Sequence, residues 1–127
     1  MILAIKTDSP TTEIYALEAS GEVASQEIWQ ADRTLARDLL AKIETLLVMN
    51  FDQLTGIIVF KGPGSFTGLR IGITTANAIS YAKQIPIVAT DGESWLSDGL
   101  ERLRIGQTDQ IALPEYGAPA NITMPKK

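Results

Sequence analysis

The sequence predicts an α/β protein with a five-stranded mixed sheet flanked by about three helices. Short apolar runs with strand-like alternation come first, and longer segments with a helical period follow them along the chain. The early strands are joined by short turns, whereas the later strands are separated by helices. Short turns indicate antiparallel neighbours, and helical connections indicate parallel crossovers.

The first three strands are predicted at 2–6, 11–17 and 23–29. Turn-forming residues at 8–10 and 19–22 separate them. Because connections this short join antiparallel neighbours, strands one, two and three are expected to pair in order.

Helix one is predicted to begin at Asp32 or Thr34, either of which can cap the first turn, and to run to about Asn50. Its apolar residues recur with a period of 3.6 and form one stripe. They are Leu35, Leu39, Leu40, Ile43, Leu46 and Leu47.

The remaining elements are strand four at 57–60, helix two at about 67–83, strand five at 86–89 and helix three at about 92–104. Right-handed crossovers through the helices make strands one, four and five mutually parallel. This order of strands and helices is that of a single actin-like, or ribonuclease-H-like, lobe.

Length and composition indicate one globular domain. The chain has 127 residues, 45% of them hydrophobic and 20% charged, which is enough to build a core. We expect the lobe to occupy 1–104 and an extended, proline-containing C-terminal tail to occupy 105–127. No apolar run approaches the roughly 20 residues that span a bilayer, so no membrane contact and a cytoplasmic location are expected.

The residue types exclude several chemistries. The chain contains no Cys and no His, which removes disulfides, thiolate metal sites and the commonest general base. Its formal net charge is −4, whereas a protein that binds RNA by itself is usually basic. Any contact with RNA is therefore expected to come through a partner.

The turn between strand four and helix two is the most informative motif. It consists of Gly62, Pro63, Gly64, Ser65, Phe66, Thr67, Gly68, Leu69 and Arg70. A P-loop needs Lys and Ser or Thr directly after its last glycine, and a dinucleotide loop needs its third glycine at position 67. Neither condition is met. Ser65 or Thr67 can cap the helix. Two interpretations of the segment stay open: it is only a tight strand-to-helix turn, or it is a rigid loop that also has a function.

Helix two is rich in small residues. Gly68 and Gly72 lie four residues apart and remove side chains from one helical face, so that another backbone can approach it. Two interpretations stay open: the face packs closely on the protein's own sheet, or it packs on a helix of a second protein.

Together with Ile71 and Gly72, the glycine-rich motif resembles the signature of the bacterial TsaB family, also called YeaZ. This family belongs to the machinery that makes threonylcarbamoyladenosine in tRNA. Weaker similarities cover 1–8, 85–90, 114–116 and 125–127. The resemblance implies a non-catalytic subunit that stabilises a TsaD-type catalytic subunit through a helix-helix interface, with tRNA reached only through the complex. A TsaE-type ATPase stays open as a further partner.

The resemblance also implies that the partner interface is formed by helices one and two of the lobe. The predicted partner-interface residues are Leu35, Leu39, Gly68, Gly72, Thr75, Ala76 and Ile79. Apolar helix surface that no second lobe covers predicts a homodimer when the chain is alone.

The chain departs from the family pattern at three points. The family commonly carries Asp where this chain has Lys6, and His-Ser near the start of helix one, where this chain has Arg-Thr-Leu-Ala-Arg at 33–37. Family members usually have two lobes and are much longer. Because the end of the chain still resembles the family's ending, an internal deletion of the second lobe is expected.

No catalytic residue, metal ligand or cofactor-binding residue is predicted, and ATP binding by this chain alone is not expected. A two-metal nuclease needs clustered carboxylates, which strands one and four do not supply. A serine nucleophile at Ser65 would have only Lys61 as a nearby base. Two other functions stay open: a small autonomous ATPase of the actin-like fold, and a homodimeric scaffold that has left the pathway.

Overall fold

The computed structural model describes residues 1–48 and 50–115. The family-like ending at 125–127 and the part of the tail at 116–127 lie outside the described residues.

A five-stranded sheet with the strand order β3-β2-β1-β4-β5 forms the centre of the molecule. Its strands are β1 (Ile2–Lys6), β2 (Thr11–Leu17), β3 (Val23–Gln30), β4 (Gly56–Phe60) and β5 (Ile87–Thr90). β1 and β2, and β2 and β3, are antiparallel, whereas β1 and β4, and β4 and β5, are parallel. The predicted fold class is therefore confirmed, with strand ends within one residue of the prediction.

Three α-helices flank the sheet: α1 (Leu35–Leu46), α2 (Phe66–Lys83) and α3 (Trp95–Arg104). α1 is shorter than predicted, because a 3-10 turn at Asp32–Thr34 precedes it and the chain leaves the helix after Leu46. Thr34 occupies the N-cap position, but its hydroxyl donates to the carbonyl of Ala31 at 2.6 Å and does not cap the helix.

The helices lie in two layers with the sheet between them. α1 and α2 contact each other and cover one face, and α3 packs on the other face against β4 and β5. Successive residues of the central strands therefore point to opposite faces of the sheet, and both faces are buried. Ile58 packs against Gly99 of α3. Its neighbours Ile57 and Val59 point to the opposite face, which α2 covers.

After α3 the chain returns along the outer edge of β5. The N–H of Asp109 donates to the carbonyl of Ile87 at 2.7 Å, and its carboxylate accepts from the N–H of Ala89 at 2.7 Å. Arg102 of α3 bonds the same carboxylate at 2.6 Å and the carbonyl of Ala89 at 3.0 Å. This Arg102–Asp109 clamp holds the segment that follows α3. The predicted boundary between lobe and tail at residue 104 stays a prediction.

None of the helices in the described part of the chain has the length and apolar character that crossing a bilayer requires.

Candidate partner interface

The glycine-rich loop connects β4 to α2 and packs on the turn that follows β1. The N–H of Ser65 donates to the carbonyl of Asp8 at 2.7 Å, and the Ser65 hydroxyl accepts from the N–H of Gly68 at 3.3 Å. Ser65 therefore caps α2, as one of the two predicted alternatives. Gly62 has φ of +124°, a conformation that favours glycine, and a Cβ there would collide with the carbonyl of Glu115.

Gly68 and Gly72 face the protein's own β1 turn. A Cβ at position 68 would lie 2.4 Å from the carbonyl oxygen of Thr7, and one at position 72 would lie 2.1 Å from the Thr7 hydroxyl. The Thr7 hydroxyl donates to the carbonyl of Gly68 at 2.7 Å. Of the two interpretations of this glycine face, the structure therefore supports close packing on the protein's own sheet.

Most of the residues predicted for the partner interface lie inside the lobe. Gly72 is buried, Leu39 and Ala76 are fully buried, and Leu35 and Ile79 are 4% and 6% exposed. These five residues therefore offer little or no surface to a second protein in the folded lobe, and their place in a partner interface stays a prediction. Of the predicted set, Gly68 and Thr75 are partly exposed. The 3.6-residue hydrophobic period identifies residues that lie on the same face of a helix, but it does not show which face points toward solvent.

The outward face of α1 and α2 carries small side chains together with a few large apolar ones and one arginine. A groove of about 430 Å³ runs between the helices, and it is lined by Ala36, Thr67, Arg70, Ile71, Thr74 and Thr75. Leu40 lies one turn after Ala36 and is 48% exposed, and Tyr81 lies two turns after Thr74 and is 81% exposed. We call this surface the helix face: Ala36 and Leu40 of α1 with Thr67, Arg70, Thr74, Ala78 and Tyr81 of α2.

Other loop residues divide between the core and the surface. Leu69 is fully buried, whereas Pro63, Gly64 and Phe66 are exposed. The guanidinium of Arg70 lies 5.5 Å from the centre of the Phe66 ring. The first turn of α2 thus combines a cation and an aromatic side chain on its outer surface.

Lys6 lies in an ionic cluster at the end of β1. Its ammonium is 2.7 Å from the Asp8 carboxylate, 4.0 Å from that of Glu13 and 4.6 Å from the centre of the Phe60 ring. The Tyr15 hydroxyl donates to Glu13, and burial together with this hydrogen bond raises the pKa of Tyr15 to about 12. Lys6 therefore neutralises carboxylates of its own chain, and Asp8 is an ion-paired, partly buried side chain and not a free surface acid.

The described residues place no group of three or more acidic side chains where they could hold a metal ion. Lys61 forms an ion pair with Glu115 at 3.6 Å, while the hydroxyl of Ser65 is used in the helix cap.

Comparison with known proteins agrees with this architecture. The family described as "TsaD: tRNA N6-adenosine threonylcarbamoyltransferase" matches residues 21–91, more than half of the chain. The Bacillus subtilis "tRNA threonylcarbamoyladenosine biosynthesis protein TsaB" is 36% identical over 91 residues, which cover 69% of this chain and 39% of that protein. An Anaplasma phagocytophilum tRNA N6-adenosine threonylcarbamoyltransferase is 29% identical over 108 residues, covering 72% of this chain and 32% of that protein.

The solved structure of YeaZ from Pseudomonas aeruginosa superposes with a TM-score of 0.65 at 27% identity, covering 71% of this chain and 43% of that one. The chain thus spans less than half the length of these relatives. Fold and matches together define a single actin-like lobe of the threonylcarbamoyladenosine proteins. The chain belongs to the family matched over residues 21–91, in its TsaB, or YeaZ, branch.

Proposed function

We propose that this protein is a non-catalytic partner subunit in the synthesis of tRNA threonylcarbamoyladenosine, and that it binds and stabilises a TsaD-type catalytic subunit through the helix face. The observation that carries the proposal is the groove of small side chains between α1 and α2, together with the exposed Leu40 and Tyr81 on the same two helices. Exposed apolar side chains grouped on one surface mark protein interfaces. Membership of the TsaB branch supports the choice of partner.

The small side chains favour a helix as the partner element. Ala36, Thr67, Thr74 and Ala78 leave the two helix backbones accessible, so that ridges of a partner helix can enter the groove between them. Arg70 at one end of the groove supplies a charged side chain of the type that commonly dominates interface energetics.

Charge and location follow from the same proposal. A chain with a net charge of −4 lacks the electrostatic footprint of an independent tRNA binder, so tRNA is contacted through the complex. The complex acts in the cytoplasm, and a TsaE-type ATPase is a candidate further member. No cofactor is assigned to this chain.

The experiment is a pair of matched substitutions. Leu40→Asp places a charge on the helix face, and Ile28→Asp places the same charge on β3 at an apolar residue of nearly equal exposure, 49% against 48%. We expect Leu40→Asp to weaken binding to the TsaD-type subunit by about tenfold or more, and Ile28→Asp to leave it unchanged. The measurement is a titration followed by light scattering. Equal binding by the two variants would reject the helix face as the interface.

The same variants test self-association. Without the TsaD-type subunit, the chain is expected to form an isologous dimer through the helix face, with an interface of about 1,600 Å² in total. Leu40→Asp should then be monomeric by light scattering. A monomeric wild type at micromolar concentration, with unchanged elution when the TsaD-type subunit is added, would end both proposals.

The two alternative functions make different predictions. An autonomous ATPase would bind ATP at micromolar concentration and hydrolyse it, whereas a non-catalytic subunit shows no turnover alone. A homodimeric scaffold that has left the pathway would dimerise but would not co-purify with a TsaD-type subunit. Calorimetry with ATP and co-purification separate the three functions.

A further inference from the structure

The chain contains two Asp-Gly pairs, Asp91-Gly92 and Asp98-Gly99. An aspartate followed by glycine is a pair at which the main chain can rearrange without an enzyme, because glycine has no side chain that shields its own nitrogen. The two pairs are identical in sequence and lie close together along the chain. The fold places them in different surroundings, so the structure distinguishes between two pairs that the sequence does not.

Asp91-Gly92 lies in the turn between β5 and α3. Both residues are exposed, and a Cβ added to Gly92 would meet nothing within 4 Å. Among the described residues, the N–H of Gly92 and the carboxylate of Asp91 have no hydrogen-bond or ion-pair partner. Gly92 has φ of +78°, so the turn itself favours glycine at this position. The nitrogen of Gly92 is therefore free to approach the neighbouring carboxyl group.

Asp98-Gly99 lies in the first turns of α3 and is held on both sides. The N–H of Asp98 donates to the carbonyl of Ser94 at 2.8 Å, and the helical pattern directs the N–H of Gly99 to the carbonyl of Trp95. Gly99 is buried, and a Cβ there would lie 2.5 Å from the side chain of Ile58 in β4. The backbone at Gly99 therefore cannot rotate unless this part of α3 leaves the sheet.

We propose that Asp91 is a site of spontaneous isoaspartate formation in the folded protein, and that α3 protects Asp98 from the same reaction. The main-chain nitrogen of Gly92 attacks Cγ of the protonated Asp91 carboxyl group. A C–N bond forms, and the carboxyl hydroxyl leaves with the amide hydrogen as water, which gives a succinimide ring. Water then opens the ring. Cleavage between the nitrogen and Cγ restores aspartate, whereas cleavage between the nitrogen and the original main-chain carbonyl gives isoaspartate.

Isoaspartate lengthens the main chain by one methylene group directly after β5. Immediately before this point, the carbonyl of Thr90 accepts from the N–H of Lys61 at 2.8 Å, a bond that joins β5 to the start of the glycine-rich loop. The Thr90 hydroxyl donates to the carbonyl of Trp95 at 2.8 Å and fixes the start of α3. The altered protein therefore has the same mass and charge as the original, and differs from it at the end of β5 and the first turn of α3.

The test follows both pairs in the same full-length chain. One sample is incubated for weeks in its native state near neutral pH, and a second sample is incubated in urea that unfolds it. Mass spectrometry of peptides with electron-transfer fragmentation distinguishes isoaspartate from aspartate at each position. In the native sample, isoaspartate should accumulate at Asp91 about tenfold or more faster than at Asp98, because α3 must open locally before Gly99 can react. In urea, the two rates should be similar.

Two matched variants confirm the assignment through methylation of the aged native protein by an isoaspartyl methyltransferase. Asp91→Glu keeps the charge but lengthens the side chain, so that ring closure is disfavoured and most of the methylation should disappear. Asp98→Glu should leave methylation unchanged. Equal native rates at the two pairs would overturn the proposal. A native rate at Asp91 far below its rate in urea would also overturn it, since the fold would then hold the nitrogen of Gly92.

The comparison of the two pairs in the wild-type chain needs neither variant, so it decides the proposal even where a variant folds poorly. No measurement includes the TsaD-type subunit, and the result is therefore independent of the proposed function.

Discussion

Replacing Gly72 by alanine tests whether the glycine face of α2 serves the fold or a partner. The new Cβ would lie 2.1 Å from the Thr7 hydroxyl oxygen and 3.0 and 3.1 Å from two Thr7 carbons. Thr7 is 1% exposed, so its side chain cannot move outward into solvent. The clash must therefore be relieved by rotating Thr7 or by moving α2 away from the β1 turn.

The size of the effect follows from three contributions. Overpacking of a buried site costs about 1–3 kcal/mol. Rotation of Thr7 breaks its 2.7 Å bond to the carbonyl of Gly68, which costs about 1 kcal/mol more. Alanine in a helix interior returns about 1 kcal/mol relative to glycine. The net loss is about 1–3 kcal/mol, or a fall in Tm of roughly 4–12 °C for a chain of this length.

The assay is thermal and urea unfolding of four proteins: wild type, Gly72→Ala, Thr7→Ala and the double variant. Shortening Thr7 to alanine removes the two closest atoms and leaves only its Cβ, 3.1 Å from the new Cβ, so Gly72→Ala should cost much less in this background than in the wild type. Binding of the folded Gly72→Ala protein to a TsaD-type subunit should equal that of the wild type, since Gly72 is buried. The reasoning is refuted if Gly72→Ala alone is as stable as the wild type, or if it is stable but does not bind.

Three further predictions concern polar contacts. Because the pKa of Tyr15 is raised to about 12, its contribution to stability is complete below pH 10, the usual value for a free phenol, and is lost as the pH rises through 12. The free energy difference between wild type and Tyr15→Phe should therefore change across this range, and a constant difference would contradict it. Arg102→Met should cost about 2–3 kcal/mol and accelerate amide exchange in β5, because it removes charged bonds to Asp109 and to the β5 backbone; unchanged exchange would count against the clamp. Lys6→Met should cost about 1–2 kcal/mol in urea unfolding, since it leaves the paired carboxylates without their cation; a variant as stable as the wild type would show that the cluster is not needed.

Local sequence pattern was sufficient for the architecture. Alternating and continuous apolar runs fixed the strands because burial on one or two faces imposes those patterns, and short turns fixed the antiparallel pairs. The ends of α1 were less predictable, because Thr34 was expected as a capping side chain and instead bonds back to Ala31.

The candidate interface was harder to predict, because it depends on how helices rotate about their axes. Leu39 and Leu40 are neighbours in one apolar stripe, yet Leu39 is fully buried and Leu40 is 48% exposed. The small residues of α2 divide in the same way: Gly72 and Ala76 face the sheet, and Thr74 and Ala78 face outward. A stripe that contains both large and small residues on adjacent faces does not reveal which of them the sheet covers.

Because of the Arg102–Asp109 clamp, the two edge strands of the sheet, β5 and β3, differ in how open their backbone groups are to pairing with another strand. At β5, the backbone groups that would accept another strand are already occupied by Thr108 and Asp109, which bond Ile87 and Ala89. At the opposite edge of the sheet lies β3, an edge strand of eight residues that pairs with no further strand in the described part of the chain. Strand-to-strand growth, whether in misfolding at high concentration or in domain exchange between copies, is therefore directed to the β3 end, away from the returning chain.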